Sequence, residues 1–169
     1  MTSSDNKDPA KLAIALAQLN PHLGNVKSNT EKLITAHAKA ANLGADILVT
    51  PEMYLAGYPC DDLVYRSDFM AEIEAALTEI ATYTTSDMPA IIIGAPRRQD
   101  GVLYNSLFVL DEGRICHHYD KMNLPNYGVF DDKRNFEAGH GTGPISVRGW
   151  RLGLAICEDI WTSEIGVAL

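Results

Sequence analysis

The sequence predicts an α/β fold in which helices cover one face of a mixed β-sheet. An apolar run, an amphipathic helical pattern and a second apolar run follow one another over residues 11–50, which is the order of a βαβ unit with parallel strands. Residues 103–110 and 114–119 have strand composition and flank a tight turn, which predicts an antiparallel hairpin. Parallel and antiparallel strands in one chain indicate a mixed sheet.

The βαβ unit follows a polar N-terminal segment. Residues 1–10 are polar and aperiodic, and we expect them to form a disordered tail. Residues 11–19 then read as the first strand. Asn25 is placed to cap a helix that ends at about residue 43, before Gly44. Residues 46–50 are short and apolar and read as the second strand.

The remaining elements follow from the same criteria. Residues 67–83 place apolar side chains at helical spacing, and residues 89–94 read as a third strand. Residues 152–156 are an uninterrupted apolar run, which predicts a strand buried on both faces. Three glycines in residues 139–143 lack the Lys and Ser/Thr of a nucleotide-binding loop, so we interpret them as a turn into a strand at residues 145–147.

Composition limits the class of protein. With 169 residues and 46% hydrophobic composition, the chain can form one ordinary core and one domain. Its 14 basic and 22 acidic side chains give a net charge of −8, which argues against nucleic acid or an anionic membrane as a partner. Three widely separated cysteines do not make a disulfide framework. No apolar run approaches the roughly 20 residues of a membrane span, and a signal peptide's apolar segment is missing. We therefore expect a soluble, cytoplasmic protein.

The predicted strand at residues 152–156 ends at Cys157, where the polarity changes abruptly. In open α/β sheets, ligands bind beyond the carboxyl ends of the strands, so a thiol at this position is suited to act as a nucleophile. The alternative is a cysteine that packs as a small buried hydrophobe, which is the commoner role of this residue. Position alone does not separate the two.

Two charged residues also follow predicted strands. Glu52 comes just after the apolar run of residues 46–50, and burial there would raise its pKa towards that of a general base. Lys121 follows the hairpin and could hold positive charge where an oxyanion develops. The alternatives are a glutamate that caps a loop or pairs with a surface lysine, and a solvated lysine.

Other candidate side chains have simpler explanations. Cys60 lies in an irregular loop at residues 53–62, away from any strand end, and Cys116 lies inside a predicted strand as a packing residue. His117 and His118 are adjacent and point to opposite faces of that strand, which is poor geometry for shared metal ligation. The sequence therefore predicts no metal site.

A carboxylate, an ammonium and a thiol at three strand ends would together supply the base, the oxyanion partner and the nucleophile of an acyl-transfer site. In this order the arrangement resembles the nitrilase superfamily, and the resemblance extends over residues 12–161. The matching segments are Pro51-Glu52, Asp120-Lys121 with Leu124, and Cys157-Glu158-Asp159-Ile160-Trp161.

Within that superfamily, the flanking residues are similar to the glutamine-hydrolysing domain of the glutamine-dependent NAD synthetase family. The similar segments are Tyr54-Leu55-Ala56-Gly57-Tyr58-Pro59 with Asp62-Leu63, and above all Leu124-Pro125-Asn126-Tyr127-Gly128-Val129-Phe130-Asp131. The resemblance implies that Cys157 attacks the side-chain amide of glutamine, with Glu52 as base and proton shuttle. Lys121 would then stabilise the tetrahedral intermediate.

The same resemblance implies a set of pocket or substrate-positioning residues. They are Tyr58, Tyr127, Phe130, Asp132 and Glu158. The family usually has a glutamate at the position of Asp132. Because aspartate is one methylene shorter, we expect its carboxylate to lie farther from Lys121 and to support it less.

The resemblance also implies an α-β-β-α sandwich that packs its sheet layers through oligomerisation, as a homo-oligomer. Residues 11–169 would be the N-terminal part of a nitrilase-like glutaminase domain, with the rest of that domain and a C-terminal synthetase domain absent from the sequence, so that the fold is incomplete at its C-terminus. Glutamine and that synthetase domain of the same polypeptide are the expected partners. ATP, Mg and deamido-NAD are expected only at the synthetase domain, so we expect no cofactor or metal in this segment.

Two alternative functions stay open at this point. A stand-alone nitrilase-type amidase or carbamoylase would use the same chemistry on another substrate. A catalytically silent fragment of the fold, used for subunit contacts, would need none of it.

Overall fold

The computed structural model describes residues 11–141 and 143–163, so the expected tail at residues 1–10 lies outside the described residues. Two 3-10 helices, Asp61–Tyr65 and Cys157–Trp161, accompany the regular elements. In chain order these are β1 (Ile14–Leu16), α1 (Val26–Asn42), β2 (Ile47–Val49), α2 (Ser67–Ala81), β3 (Ala90–Gln99), β4 (Val102–Asp111), β5 (Arg114–Asp120), α3 (Asp132–Asn135), β6 (Ile145–Val147) and β7 (Trp150–Leu152). Within the described ranges, no helix is long and apolar enough to cross a membrane.

The first five strands form one mixed sheet in the order β1-β2-β3-β4-β5. β1, β2 and β3 run parallel, with Leu48 paired to Ile91, whereas β3, β4 and β5 are antiparallel, with Ile93 paired to Phe108. The predicted βαβ unit and the predicted hairpin are therefore both present. The α/β class with a mixed sheet is confirmed, and the carboxyl ends of β2 and β5 deliver their following residues to the site.

Both long helices pack on one face of this sheet. Leu33 of α1 and Ile73 of α2 are fully buried in the same cluster as Ile91 and Ile93 of β3. Burial of each such side chain stabilises the fold by about 1.5–3 kcal/mol. Asn25 caps α1 as predicted, because its side chain accepts a hydrogen bond from the Ser28 main chain.

The opposite face of the sheet carries a second, smaller core. Alternate residues of β3 and β4, such as Ile92 and Val109, point to this face because side chains alternate along a strand. The antiparallel pair β6–β7 and the segment after it cover this face, with Ile145, Leu154 and Ile156 buried. The helices thus lie on one face, as predicted, and this small hairpin lies on the other.

The predicted strand at residues 152–156 is wrong for residues 153–156. β7 ends at Leu152, and in the described ranges no strand pairs with the four residues that follow. Leu154 and Ile156 are nevertheless buried, while Gly153 is exposed. An apolar run reports burial and not main-chain pairing, so an extended segment that packs without a partner strand gives the same pattern as a buried strand.

Three other elements differ from the predicted ones. The strand expected at residues 11–19 is only β1, an edge strand whose Leu16 is 71% exposed. The loop expected at residues 53–62 leads into a 3-10 helix, Asp61–Tyr65, that the sequence does not predict. The four-residue α3 is also not predicted, because a single turn is too short to show a helical period.

His37 on α1 is a core residue. Its side chain is buried, and its Nε2 donates a hydrogen bond to the Pro89 carbonyl at 2.8 Å. Burial is the largest effect on its pKa and lowers it, and Arg148 adds to the decrease, while the Pro89 bond opposes it. The neutral imidazole is therefore the form that the fold favours.

This burial makes stability depend on pH. Because the folded-state pKa of His37 lies below its unfolded value of about 6.5, the unfolded chain binds more protons as the pH falls below that value. The free energy of unfolding should decrease on the acid side, by at most about 1.4 kcal/mol per pH unit for this one proton. In His37→Gln the amide still donates to Pro89, so urea unfolding at pH 7.5 and 5.5 should show a smaller difference. His140→Gln, at an exposed position, is the control, and an unchanged pH dependence in His37→Gln would contradict the assignment.

Candidate active site

Glu52 is held at the end of β2 by a close main-chain contact. A Cβ at Gly94 of β3 would lie 2.5 Å from Met53 N and 2.7 Å from Pro51 O. Glycine therefore lets the chain around Glu52 lie directly against β3. On the other side, Asn105 of β4 donates from Nδ2 to Glu52 Oε1 at 2.7 Å. These contacts fix both the main chain and the carboxylate of Glu52.

Lys121 follows β5 directly, and its side chain is only 1% exposed. Its ammonium donates to Glu52 Oε1 at 2.7 Å and to Asp132 Oδ2 at 2.8 Å. Burial disfavours the ammonium and acts to lower its pKa, but the hydrogen bonds and negative charges of the two carboxylates outweigh this effect, so the pKa of Lys121 is raised. Lys121 is therefore a fixed positive charge and not a proton donor at neutral pH.

The strand end that carries Lys121 is anchored through its neighbour Asp120. Arg97 forms a two-pronged ion pair with the Asp120 carboxylate, with N–O distances of 2.9 and 2.5 Å, and Ser106 donates to it at 2.6 Å. A Cβ at Gly139 would lie 2.2 Å from the Asp120 carbonyl oxygen, so the glycine turn packs against this residue main chain to main chain. The position of Lys121 is thus set by a rigid support.

Cys157 begins the 3-10 helix Cys157–Trp161 and has φ +47°, in the left-handed region. Few non-glycine residues adopt this conformation, and those that do are concentrated at functional sites. The residue is exposed, and partial desolvation is the largest effect on its thiol and raises the pKa. The charge of Glu52 raises the pKa further, while Lys121 acts to lower it. The structure therefore brings Glu52, Lys121 and Cys157 together, with the thiol in its protonated form.

Asp132 reaches Lys121 despite its short side chain. It is buried at the start of α3, and its Oδ2 accepts from the ammonium at 2.8 Å, so the expected larger separation is wrong. Its other oxygen accepts from the hydroxyl of Tyr58 at 3.0 Å. Burial is the main cause that raises the pKa of Tyr58, and the Asp132 charge adds to it. Tyr58 is therefore a neutral donor that orients Asp132.

The other three residues of the implied pocket lie on its solvent side. Tyr127 is half exposed and donates from its hydroxyl to Glu158 Oε2 at 2.7 Å. Its ring meets Phe130 edge to face at a centroid distance of 5.9 Å. Glu158 also lines an open cleft of about 430 Å³, together with Asn123 and Lys133. Tyr127, Phe130 and Glu158 therefore form one contacting group next to Cys157 in the chain.

The residues set aside in the sequence lie elsewhere in the structure. Cys60 is 3% exposed, and burial raises the pKa of its thiol to about 12, so it is not an activated nucleophile. Cys116 lies half-buried in β5 near the Asp111 carbonyl. Both His117 and His118 are exposed. Among residues 11–141 and 143–163, no group of three His, Cys, Asp or Glu side chains is arranged to hold a metal ion.

Sequence reasoning missed two residues that shape the site. Asn105 is buried in β4, where its side chain bonds Glu52 and its carbonyl accepts from Lys121 N at 2.8 Å. An amide inside an apolar strand is a signal that could have been noticed, because buried polar groups need partners. Asp159 is buried beneath Cys157 and accepts four hydrogen bonds. No periodicity in the sequence separates it from the polar turn around it.

The geometry defines a chemical capability. A carboxylate next to a protonated thiol can take its proton as the sulfur attacks a carbonyl carbon. A permanently charged ammonium at the same place can stabilise the oxyanion that forms. These are the requirements for cleaving a carbon–nitrogen bond of an amide through a thioester.

Fold and sequence together place the chain among the carbon-nitrogen hydrolases. Residues 13–169 match the carbon-nitrogen hydrolase family, so the chain belongs to this family, and the resemblance seen in the sequence is confirmed. The chain is 38% identical over 151 residues to a glutamine-dependent NAD(+) synthetase of Thermotoga maritima and 40% identical over 156 residues to one of Xanthomonas campestris. The alignments cover 89% and 90% of this chain, but only 26% and 28% of those proteins. The chain therefore spans about a quarter of the length of these curated relatives.

Solved structures give the same result for the fold. The glutamine-dependent NAD+ synthetase of Acinetobacter baumannii superposes with a TM-score of 0.85 at 35% identity, covering 91% of this chain and 29% of that one. An amidase mutant from Nesterenkonia sp. AN1, in which acrylamide has added to the active-site cysteine, superposes with a TM-score of 0.78 at 25% identity. That match covers 94% of this chain and 62% of the amidase. The nitrilase-like α/β fold is thus shown.

The Lys121–Asp132 contact predicts a specific loss of stability. In Asp132→Asn the amide oxygen can still accept from the ammonium, but one of the two negative charges that balance Lys121, and the more deeply buried one, is gone. We expect unfolding to become easier by about 2 kcal/mol, measured by urea unfolding. Asp131→Asn, at an exposed position next to it, should change the same quantity by less than about 0.5 kcal/mol. Equal losses of unfolding free energy in the two variants would show that the Lys121–Asp132 pair stabilises the fold no more than an exposed carboxylate does.

Proposed function

We propose that this site hydrolyses the side-chain amide of glutamine, and that the ammonia released is used for the ATP-dependent amidation of deamido-NAD to NAD. The observation that carries the proposal is the buried Lys121 ammonium, held by Glu52 and Asp132 beside the Cys157 thiol. An ammonium that is buried, paired and adjacent to a thiol is suited to stabilising an oxyanion. Residues 11–169 are then the N-terminal part of a glutaminase domain, and ATP, Mg and deamido-NAD bind at a synthetase domain of the same polypeptide.

The first half of the reaction forms a thioester. Glu52 takes the thiol proton as Cys157 Sγ attacks the amide carbon, and the carbonyl electron pair moves to oxygen. Lys121 stabilises that oxyanion. When the intermediate collapses, the C–N bond breaks, Glu52 returns the proton to the departing nitrogen, and ammonia leaves.

The second half regenerates the enzyme. A water molecule loses a proton to Glu52 and attacks the thioester carbon, again placing negative charge on the oxygen beside Lys121. The C–S bond then breaks, glutamate is released, and the sulfur recovers its proton from Glu52. One carboxylate thus moves a proton in each direction, which requires that it stay within reach of both sulfur and substrate.

The choice of glutamine rests on two supports. Several relatives that are 36–40% identical to this chain are named glutamine-dependent NAD(+) synthetases. In addition, Glu158, which follows Cys157 directly, lines the cleft, and its carboxylate accepts from the hydroxyl of Tyr127, whose ring packs against Phe130. A carboxylate at this place suits the positively charged amino group of an amino acid substrate. Cytoplasmic location and assembly into a homo-oligomer stay predictions.

A second candidate keeps the chemistry and changes the substrate. The amidase from Nesterenkonia shares the fold over 94% of this chain, and in a mutant of that protein acrylamide has added to the active-site cysteine. A nitrilase-type amidase that acts alone on small amides or carbamoyl compounds would use the same three residues. Its activity on simple amides would be indifferent to deamido-NAD, whereas coupling to NAD synthesis favours the first proposal.

Cys157→Ala in the full-length polypeptide tests the nucleophile. Glutamine hydrolysis should fall by at least about 10³-fold because no other group forms the thioester. NAD formation from deamido-NAD, ATP and added ammonia should persist. Cys116→Ala is the control and should retain glutamine hydrolysis. Glutamate release and NAD formation are measured separately.

Three outcomes would redirect the proposal. Glutamine use that survives in Cys157→Ala would exclude the thiol as nucleophile. Glutamine hydrolysis by the wild type without any conversion of deamido-NAD would remove the link to NAD. Failure of both a glutamine analogue and, at a pH high enough to form the thiolate, iodoacetamide to label Cys157 would support the catalytically silent alternative.

Glu52→Gln tests two roles of Glu52, which are to accept the thiol proton and to place a negative charge beside Cys157. The value of kcat/KM should fall about 10²- to 10⁴-fold because the base is lost, and the residual rate should rise as increasing pH forms the thiolate directly. Because the Glu52 charge raises the pKa of Cys157, its removal should lower that pKa. The pH dependence of iodoacetamide labelling at Cys157, followed by peptide mass spectrometry, measures it. Glu112→Gln, at an exposed turn, is the control, and an unshifted or higher pKa in Glu52→Gln would contradict this electrostatic role.

A further inference from the structure

Asp159 is a buried carboxylate that has no part in the proposed proton transfers. It is fully buried, two residues beyond Cys157. A carboxylate in such a place is costly unless its oxygens are satisfied. Here uncharged donors satisfy them, which distinguishes Asp159 from the ion-paired Asp120 and Asp132.

Four hydrogen bonds converge on this side chain. Its Oδ1 accepts from the main-chain nitrogens of Met122 at 3.1 Å and Asn123 at 2.7 Å. Its Oδ2 accepts from the hydroxyl of Tyr119 and from Ile156 N, both at 2.9 Å. Bonds from main-chain N–H groups to a charged acceptor are strong, and the one from Asn123 is short.

The donors come from two segments that meet at the site. Tyr119, Met122 and Asn123 lie on either side of Lys121, whereas Ile156 directly precedes Cys157. The Asp159 main chain also donates to the Ile156 carbonyl at 3.0 Å, which closes the turn where Cys157 has positive φ. One carboxylate therefore ties the main chain of the ammonium to the main chain of the thiol.

We propose that Asp159 is a positioning residue that sets the placement of Lys121 relative to Cys157. It touches no reacting atom and acts through the two segments that it joins. The proposal rests on the proposed function for the reaction that it serves, but the relation between ammonium and thiol that it sets exists whatever the substrate.

Weaker hydrogen bonds at Asp159 should change the pKa of the Cys157 thiol, which can be measured. Two charged groups act on the Cys157 thiol: Glu52 raises its pKa and Lys121 lowers it. The thiolate in turn raises the pKa of Tyr58 and of Tyr127. Lys121 lies in the segment that Asp159 holds, and Glu52 does not. If the link loosens and Lys121 and Cys157 separate, the influence that favours the thiolate weakens, so the thiol should titrate at higher pH.

The experiment uses Asp159→Asn in the full-length polypeptide. An amide has one oxygen acceptor and one NH₂ donor, so one pair of donors must face another donor and the link weakens without a change of size. We expect kcat to fall on the order of 10²-fold, as small misplacements of reacting groups do, with KM for glutamine changed by less than about threefold. The pKa of Cys157 from iodoacetamide labelling should rise by about one unit.

Asp111→Asn is the matched control. Asp111 is also a buried carboxylate, bonded by Arg148, and it lies six residues from Asn105 along β4, about 20 Å away at strand spacing. Its replacement should lower stability without changing the titration of Cys157. If Asp111→Asn is less stable but its Cys157 titration is unchanged, the shifted titration in Asp159→Asn is not caused by a general loss of stability.

A folded Asp159→Asn protein with wild-type kcat and wild-type thiol titration would overturn the proposal. If this variant does not fold, Tyr119→Phe is the variant that tests the proposal. It removes one of the four hydrogen bonds to Asp159. It should change kcat and the thiol pKa in the same directions as Asp159→Asn, but by less. No change in either quantity for Tyr119→Phe would then overturn it. If the wild type does not hydrolyse glutamine but Asp159→Asn still raises the thiol pKa, the proposed substrate fails and the positioning role stands.

Discussion

The burial of the Lys121 ammonium is the constraint on which the site depends. Removing such a charge from water costs several kcal/mol unless opposite charges and hydrogen bonds replace the lost solvation. Glu52 and Asp132 provide this replacement at 2.7 and 2.8 Å. Because the two carboxylates come from β2 and α3, the charge balance at one nitrogen atom requires that distant parts of the chain meet.

The same charge balance explains why a base is needed. Two carboxylates and one ammonium leave a net negative charge near Cys157, and partial desolvation also disfavours a thiolate. The raised pKa of Cys157 favours the protonated thiol at rest, and in the proposed mechanism the nucleophile forms only as the proton moves to Glu52. Such an arrangement limits the reactivity of an exposed cysteine towards solutes that lack a carbonyl in the correct position.

Much of the fold and part of the site could be predicted from the sequence, for identifiable reasons. Hydrophobic periodicity and capping signals located α1, α2 and the central strands, and the ends of β2 and β5 placed Glu52 and Lys121 correctly. The strand expected before Cys157 was wrong beyond Leu152, because an apolar pattern records burial and not pairing. Asn105 and Asp159 were missed because their importance lies in contacts with residues far apart in sequence, which no local pattern contains.

Asn105 fixes the positions of Glu52 and Lys121 relative to each other. Its side chain donates to the carboxylate of Glu52, and its main-chain carbonyl accepts from the main chain of Lys121. A single residue of the ten-residue strand β4 therefore contacts both charged residues. Base and ammonium are therefore both referred to one residue of β4, whereas Asp159 refers the segment before the thiol to the residues that follow Lys121. The distance from base to thiol is thus set through two bonded residues in series, Asn105 and Asp159, and not by a direct main-chain link.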